Sequence, residues 1–213
     1  MTNYLPVFPL CLVVYPGESL NLHIFEPRYQ QLVKECYAEA KPFGIPTVLN
    51  NEVAEMGCTV EITEIAEIYP DGKMDIRTRG LSVFRVLEIV QPVAGKLFSG
   101  AIVNYPGNNL LPQTAIMQKM LEAVRELHQL LQVKKDFKKP IDEMLSYDLA
   151  HHAGLTLEQE YELLCLLHEL QRLEYLKRHL KKTLPIMSSM ENLKEKIQQN
   201  GHFKDLKGFT FGR

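Results

Sequence analysis

The chain has 213 residues, with 24 basic and 26 acidic side chains and a formal net charge of −2, a balance that argues against a nucleic-acid or anionic-membrane partner. A chain of this length buries about 70% of its unfolded surface and needs no disulfide or metal staples. Its 46% hydrophobic and 23% charged residues are those of a globular protein.

Pro6, Pro9 and Pro16 interrupt the N-terminal region, which argues against a signal peptide, and no apolar run is long enough to span a membrane. Leu10–Val14 predicts a first short strand, closed by the turn Tyr15-Pro16-Gly17-Glu18. Leu20, Leu22 and Ile24 alternate with Asn21 and His23, a strand period. At Glu26-Pro27-Arg28 the pattern changes to helical spacing through Tyr29, Leu32, Val33 and Cys36. Proline is tolerated at the first helical position and a carboxylate is favoured beside it, so the run predicts a rigid strand-to-helix corner. Phe43–Val48 and Thr59–Ile68 predict further strands, and Pro70-Asp71-Gly72 a turn. Met74–Thr78 and Leu81–Val90 follow, with Gly80 marking a bulge or bend between them, and Leu97–Val103 is the last strand. Many short strands with frequent turns predict a small closed or nearly closed β-barrel.

Beyond Asn104–Pro112 the sequence turns helical. Met117, Met120, Val124, Leu127 and Leu131 mark one face of a helix over Gln113–Val133, and Lys134–Pro140 breaks it. Ile141–Ala153 predicts a shorter helix ended by Gly154. Thr156-Leu157-Glu158-Gln159 is a capping box opening a long helix with Leu163, Leu166, Leu170, Leu173, Leu176, Leu180 and Leu184, which Pro185 is expected to end. Ser188-x-x-Glu191 predicts the cap of a last short helix closed by Asn200-Gly201, and the basic remainder from Lys204 predicts a mobile tail.

Chemistry-bearing signals are thin. Cys11, Cys36, Cys58 and Cys165 lack C-x-x-C spacing and sit in apolar segments, which predicts reduced core thiols in a cytoplasmic protein. His151 and His152 are adjacent, about 100° apart on a helix and poor partners for one metal. No H-E-x-x-H occurs, so no metal site is expected. Ser82, Ser99 and Ser146 lack a nucleophile-elbow context. Glu26 and Arg28 lack a third group for catalysis, and charge pairs are usually structural. Lys134–Lys139 reads as a solvated linker.

The segment LPVFPLCLVVYPGESLNLHIFEPRYQQLV, Leu5–Val33, closely resembles the opening of the Lon protease N-terminal domain, the LON substrate-binding domain. Pro6, Phe8, Pro9, Leu10, Pro16, Gly17, Leu22, Phe25, Glu26, Pro27, Arg28 and Tyr29 match that pattern in order. IRTRGLSVFRVLEI, Ile76–Ile89, is similar to a second family strand pair around Gly80. Tyr147–Leu180, with Gln159–Leu164 and Arg172-Leu173, is similar to the helical part that follows. The resemblance covers about residues 4–185. It implies an α+β fold, a PUA-like β pseudo-barrel followed by a helical bundle, with a barrel subdomain over 1–107, a helical subdomain over 108–200 and a flexible tail over 201–213.

In full-length Lon this region recognises unfolded or tagged protein and helps assemble the ring, without chemistry of its own. Neither Gly72-Lys73 nor Gly95-Lys96 is followed by Ser or Thr, so no phosphate loop is present. The expectation is a complete, stand-alone, non-catalytic module without cofactor, catalytic or metal residues. It is expected to bind unfolded polypeptide or a protease partner protein. The alternatives are an RNA-binding PUA-like module and a peptidase-associated protein with hydrolase chemistry inherited by name. Pro9, Pro16, Gly17, Phe25, Glu26, Pro27, Arg28, Tyr29 and Gly80 are expected to be structural. A peptide groove is expected where the barrel meets the helices, with Phe8, Phe43, Tyr69, Met117 and Met120 as candidate lining residues that could equally be core.

Overall fold

A computed structural model of the protein describes residues 3–92 and 94–202; the tail expected from Lys204 lies outside them. Among the described residues six strands, β1 (Asn3–Pro6), β2 (Ser19–Ile24), β3 (Phe43–Leu49), β4 (Glu52–Ile68), β5 (Met74–Val90) and β6 (Gly100–Asn104), pair antiparallel in the order β1-β6-β5-β4-β3, with β2 added beside β5. The segment after β1 closes the ring. Val7 and Leu10 bridge Gly44 and Thr47 of β3 in parallel, and the Phe8 N–H donates to the Gly44 carbonyl at 2.8 Å. The result is the expected pseudo-barrel. Of the run Leu10–Val14 only Leu10 bridges β3, and Cys11–Val14 is irregular rather than a strand.

The two strands expected around Gly80 are one. β5 runs unbroken for 17 residues, and an extra residue on its side of the ladder, between Gly80 opposite Val60 and Val83 opposite Cys58, makes a bulge. Gly80 exchanges backbone hydrogen bonds with the preceding turn: its carbonyl accepts from Gly17 N–H at 2.9 Å and its N–H donates to the Glu18 carbonyl at 2.8 Å. A Cβ at Gly80 would overlap the Tyr15 carbonyl oxygen, so the turn reaches the sheet only over a glycine. At the far end of the β4–β5 hairpin Gly72 takes φ +84° and closes the expected turn.

Helix α1 (Pro27–Ala38) starts with Pro27 in its first turn and buries Tyr29, Leu32, Val33 and Cys36. These pack with Phe8, Ile24, Phe43, Val60, Met74 and Ile76, and Phe8 stacks on Tyr29 at 3.8 Å. The Glu26 carboxylate does not cap the helix. It accepts from Arg28, Nη2 to Oε2 at 2.7 Å, in a pair half open to solvent.

The helical part comprises α2 (Thr114–Leu130), α3 (Ser146–Ala150), α4 (Leu157–Cys165) and α5 (Glu169–His202). α3 is shorter than expected because Leu145 is extended and the chain enters the helix only there, with the Asp148 carboxylate accepting the Leu145 N–H at 2.7 Å. Gly154, at φ +72°, turns the chain where expected. The capping box at Thr156 and Gln159 forms in both directions.

The leucine stripe, however, spans two helices. Between α4 and α5 the chain leaves the helix at Leu166, and Asn109 bridges His168. Arg172 holds this break. Its guanidinium donates to the Leu166 carbonyl (2.7 Å), the Asn109 carbonyl (2.7 Å), Asn108 Oδ1 (2.9 Å), Ser146 Oγ (2.9 Å) and Glu169 Oε2 (2.8 Å). It also lies 4.3 Å from the Tyr147 ring centroid. Leu170 consequently faces solvent, while Leu173, Leu176 and Leu180 are buried.

Pro185 does not end α5, which continues past Ser188 and Glu191 to His202, so the separate last helix and its cap are absent. Of the cysteines, Cys36 and Cys58 are buried as expected, but Cys11 and Cys165 are exposed; all four are free thiols. Val13, Tyr15, Met56 and Val83 of the barrel share one apolar cluster with α2, α4 and α5. Tyr15 Oη donates to the Glu160 carbonyl at 2.9 Å, and Met56 N–H to Tyr161 Oη at 3.1 Å.

Candidate functional site

The barrel and the helices do leave a cleft at their junction, of about 580 Å³. Its walls are the turn Tyr15–Ser19 with Leu12, Val13 and Leu20 on one side and Lys135, Tyr147, Asp148, His151 and His152 on the other. Pro16 and Gly17 of the sequence motif therefore sit in the cleft wall. Tyr15 stacks on Tyr147 with centroids 4.9 Å apart. Across the floor, His151 Nδ1 meets Glu160 Oε1 at 2.7 Å and its Nε2 meets Glu18 Oε2 at 3.2 Å; the same Glu18 oxygen accepts the Tyr15 N–H at 2.9 Å. Burial opposes a charge on this imidazole, but the hydrogen bonds to Glu160 and Glu18 outweigh it and push the pKa up to about 10. His151 is thus a cationic clasp between the turn and α4. In contrast, burial and the nearby Lys135 charge pull His152 down.

The turn that walls this cleft runs directly into β2. Among the described residues β2 pairs with one strand only, β5, over six consecutive positions without a shift in register. Its sequence, Ser-Leu-Asn-Leu-His-Ile, contains no Lys, Glu, Asp or Pro, and Ser19, Asn21 and His23 are exposed. At its far end a second hollow, of about 530 Å³, is lined by His23, Tyr69, Pro70, Asp71 and Lys73. There Asp75 takes a bond from Tyr69 Oη at 2.8 Å and meets His23 Nδ1 at 2.6 Å. Phe25 stands beside His23, 58% exposed.

The other edge of the same three-stranded arm, the distal part of β4, differs. It carries Glu61, Glu64 and Glu67, and the register shifts twice, near Thr63 and Ala66. Charges and bulges are how sheets keep an edge from pairing. β2 has neither.

The sequence candidates disperse. Phe8 and Phe43 belong to the core between barrel and α1, and Met117 and Met120 to the core between barrel and helices; Phe43 and Met117 have no exposed surface. Tyr69 alone is half-exposed and lines a hollow. Among the family-motif residues, Pro16, Tyr29 and Gly80 are buried, whereas Phe25, Pro27 and Arg28 are exposed. The residues the sequence reading missed are Tyr15, Glu18, Tyr147, His151 and Glu160. The only local signal was the Tyr-Pro-Gly-Glu turn, since their meeting depends on contacts across 133 and 145 positions of chain. Among the described residues there is no cluster of His, Cys, Asp or Glu suited to a metal ion, and no helix is long and apolar enough to cross a membrane.

Residues 4–182 match the family model of the ATP-dependent protease La (LON) substrate-binding domain. The fold is similar to the crystal structure of a Lon N-terminal domain protein from Xanthomonas campestris, at 26% identity and a TM-score of 0.63 over 83% of this chain and 98% of that one. It is also similar to the N-terminal domain of a Mycobacterium avium complex Lon protease, at 16% identity and a TM-score of 0.60 over 84% and 98%.

Proposed function

The chain belongs to the LON substrate-binding domain family, and from that premise we propose that it captures extended stretches of unfolded polypeptide by adding them as a strand to β2. The observation that carries the reading is the state of that edge: unpaired among the described residues, without Lys, Arg, Asp or Glu, in unbroken register, with a hollow at each end. Backbone hydrogen bonds along six residues supply sequence-independent affinity, and hollows for alternate side chains supply selectivity. Six strand residues span about 20 Å, so one segment of extended chain reaches from the Tyr15–Tyr147 cleft to Phe25. The module performs no ATP hydrolysis or peptide-bond cleavage, and its free thiols fit a cytoplasmic setting.

Titrating a fluorescently labelled, reduced and carboxymethylated protein against the chain tests this. Binding is expected at micromolar Kd. The double variant Ser19→Lys, Asn21→Lys places charge on the exposed side of β2 and is expected to weaken binding at least tenfold, with only a small fall in melting temperature from the like charges of Arg79 and Arg77 opposite. Unchanged affinity in that variant, or tighter binding of single-stranded RNA than of unfolded protein, overturns the proposal. So does casein cleavage that a single point substitution abolishes.

A further inference from the structure

Helix α5 has two unlike halves. Leu173, Leu176 and Leu180 are buried against the other helices, and Leu184 and Met187 pack at the margin. Beyond them Ile186, Met190, Leu193 and Ile197 recur at intervals of four, three and four, and all are between 56 and 63% exposed. That spacing is a two-heptad seam of the kind one helix offers another. It begins four residues after the family match ends at residue 182, so the seam belongs to an extension that the substrate-binding fold itself does not use.

The flanking positions decide what fits. Lys182 and Lys196 border the seam on one side and Lys194 on the other, and from Lys177 to Lys196 there are six basic residues and two acidic ones. Glu191 Oε1 lies 3.6 Å from Lys194 Nζ and offsets that charge in part, but a second copy would still add its own basic flanks to Lys182 and Lys196. Residues 203–213 are also net basic, with Lys204, Lys207 and Arg213 against Asp205. A membrane surface wants a broad apolar face with aromatic anchors, whereas this stripe is narrow and holds only Ile, Met and Leu. We propose that the second half of α5 docks an amphipathic helix of a partner protein, with leucine-type residues along its seam and Glu or Asp on both flanks. Apolar knobs give the contact its strength, and flank charges choose the partner.

The test uses the full chain and three probes: a labelled 21-residue helical peptide with Ile and Leu on the seam and Glu on the flanks, the same peptide with Lys on the flanks, and phosphatidylserine-containing vesicles. The Glu peptide is expected to bind, to weaken severalfold as NaCl is raised from about 50 to 500 mM, and to lose at least tenfold in affinity with Leu193→Asp. Leu193 is exposed, so the variant's thermal melt should match the parent. Failure of the Glu peptide to bind, equal binding of the Lys peptide, or indifference to Leu193→Asp each overturns the proposal. Preferential vesicle binding does so in favour of a membrane, and concentration-dependent dimerisation abolished by Leu193→Asp in favour of a second copy. Because β2 lies outside this seam, Ser19→Lys, Asn21→Lys leaves peptide binding here unchanged.

Discussion

Two arginines each pair with a nearby glutamate at a joint in the chain, and their settings could hardly differ more. At the strand-to-helix corner Arg28 reaches Glu26, but the two side chains are 52% and 37% exposed. At the break between α4 and α5 Arg172 reaches Glu169, at 0% and 1%. An exposed pair gains little over the water it displaces and contributes about 0–1 kcal/mol. The buried pair is costly to desolvate and repays that cost only because every donor has a partner. Besides Glu169, those partners are Ser146, Asn108, the carbonyl of Leu166 at the end of α4 and the carbonyl of Asn109 in the linker before α2. The corner that is conspicuous in the sequence is thus energetically minor, and the one that is inconspicuous fastens the linker, α3, α4 and α5 together.

Removing Arg172 is the sharpest way to break the contrast. Arg172→Met leaves Glu169 buried without its cation and strips the Leu166 and Asn109 carbonyls of donors. A loss of about 3–5 kcal/mol is expected in denaturant unfolding, and a loss below that of the exposed corner pair would invert the comparison.

His151 is the intermediate case, a partly buried cation between two carboxylates. In an unfolded chain its imidazole titrates near 6.5 and here near 10. Folding therefore takes up a proton between those values. The clasp contributes fully below about pH 6.5, and its contribution drains away as pH rises toward 10. The stability difference between the parent and His151→Gln should narrow over that window; a difference constant from pH 6 to 10 would place the clasp's worth elsewhere than in its charge.

The smallest effect is expected at the corner. Glu26→Ala and Arg28→Ala should each shift stability by no more than about 1 kcal/mol, less than partial burial of both would have given. Arg28→Ala is expected to cost slightly more, since its guanidinium also lies 4.6 Å from the Tyr29 ring centroid. A loss of several kcal/mol in either would mean the corner carries load that its exposure does not explain.

What the sequence revealed, it revealed through local rules. The alternation of Leu20, Leu22 and Ile24, the proline opening α1, the Thr156–Gln159 box and the glycines at 72 and 154 each report on a few neighbouring residues, and each matches the structure. The break at Leu166 was hidden because the leucine spacing continues across it; what holds it open is Arg172, six residues on, together with Asn109 and Ser146 from earlier in the chain. Pro185 misled in the other direction. A proline usually costs a helix interior about 3 kcal/mol, yet α5 passes through it. A hollow does lie at the barrel–helix junction, where a groove was expected, but the expected lining residues are not in it. Large apolar side chains at strand ends and on helix faces are also the ones that fill cores, and Phe43 and Met117 went there. The free edge of β2 could not be read from its own six residues, because being an edge is a property of what lies beside a strand.

The apolar cluster that joins barrel to helices has a consequence in time. Val83 emerges from the ribosome about 80 residues before Leu163 and Leu164, which share its cluster. At translation rates of about 5–20 residues per second, the barrel side of that cluster waits roughly 4–16 s for its cover. During that interval Val13, Tyr15, Met56 and Val83 form a sticky face on a nascent chain, next to an edge strand already able to pair. A protein proposed to receive unfolded segments begins its own existence displaying an uncovered face, and its yield in a cell should depend on how quickly the codons between Val83 and Leu164 are read.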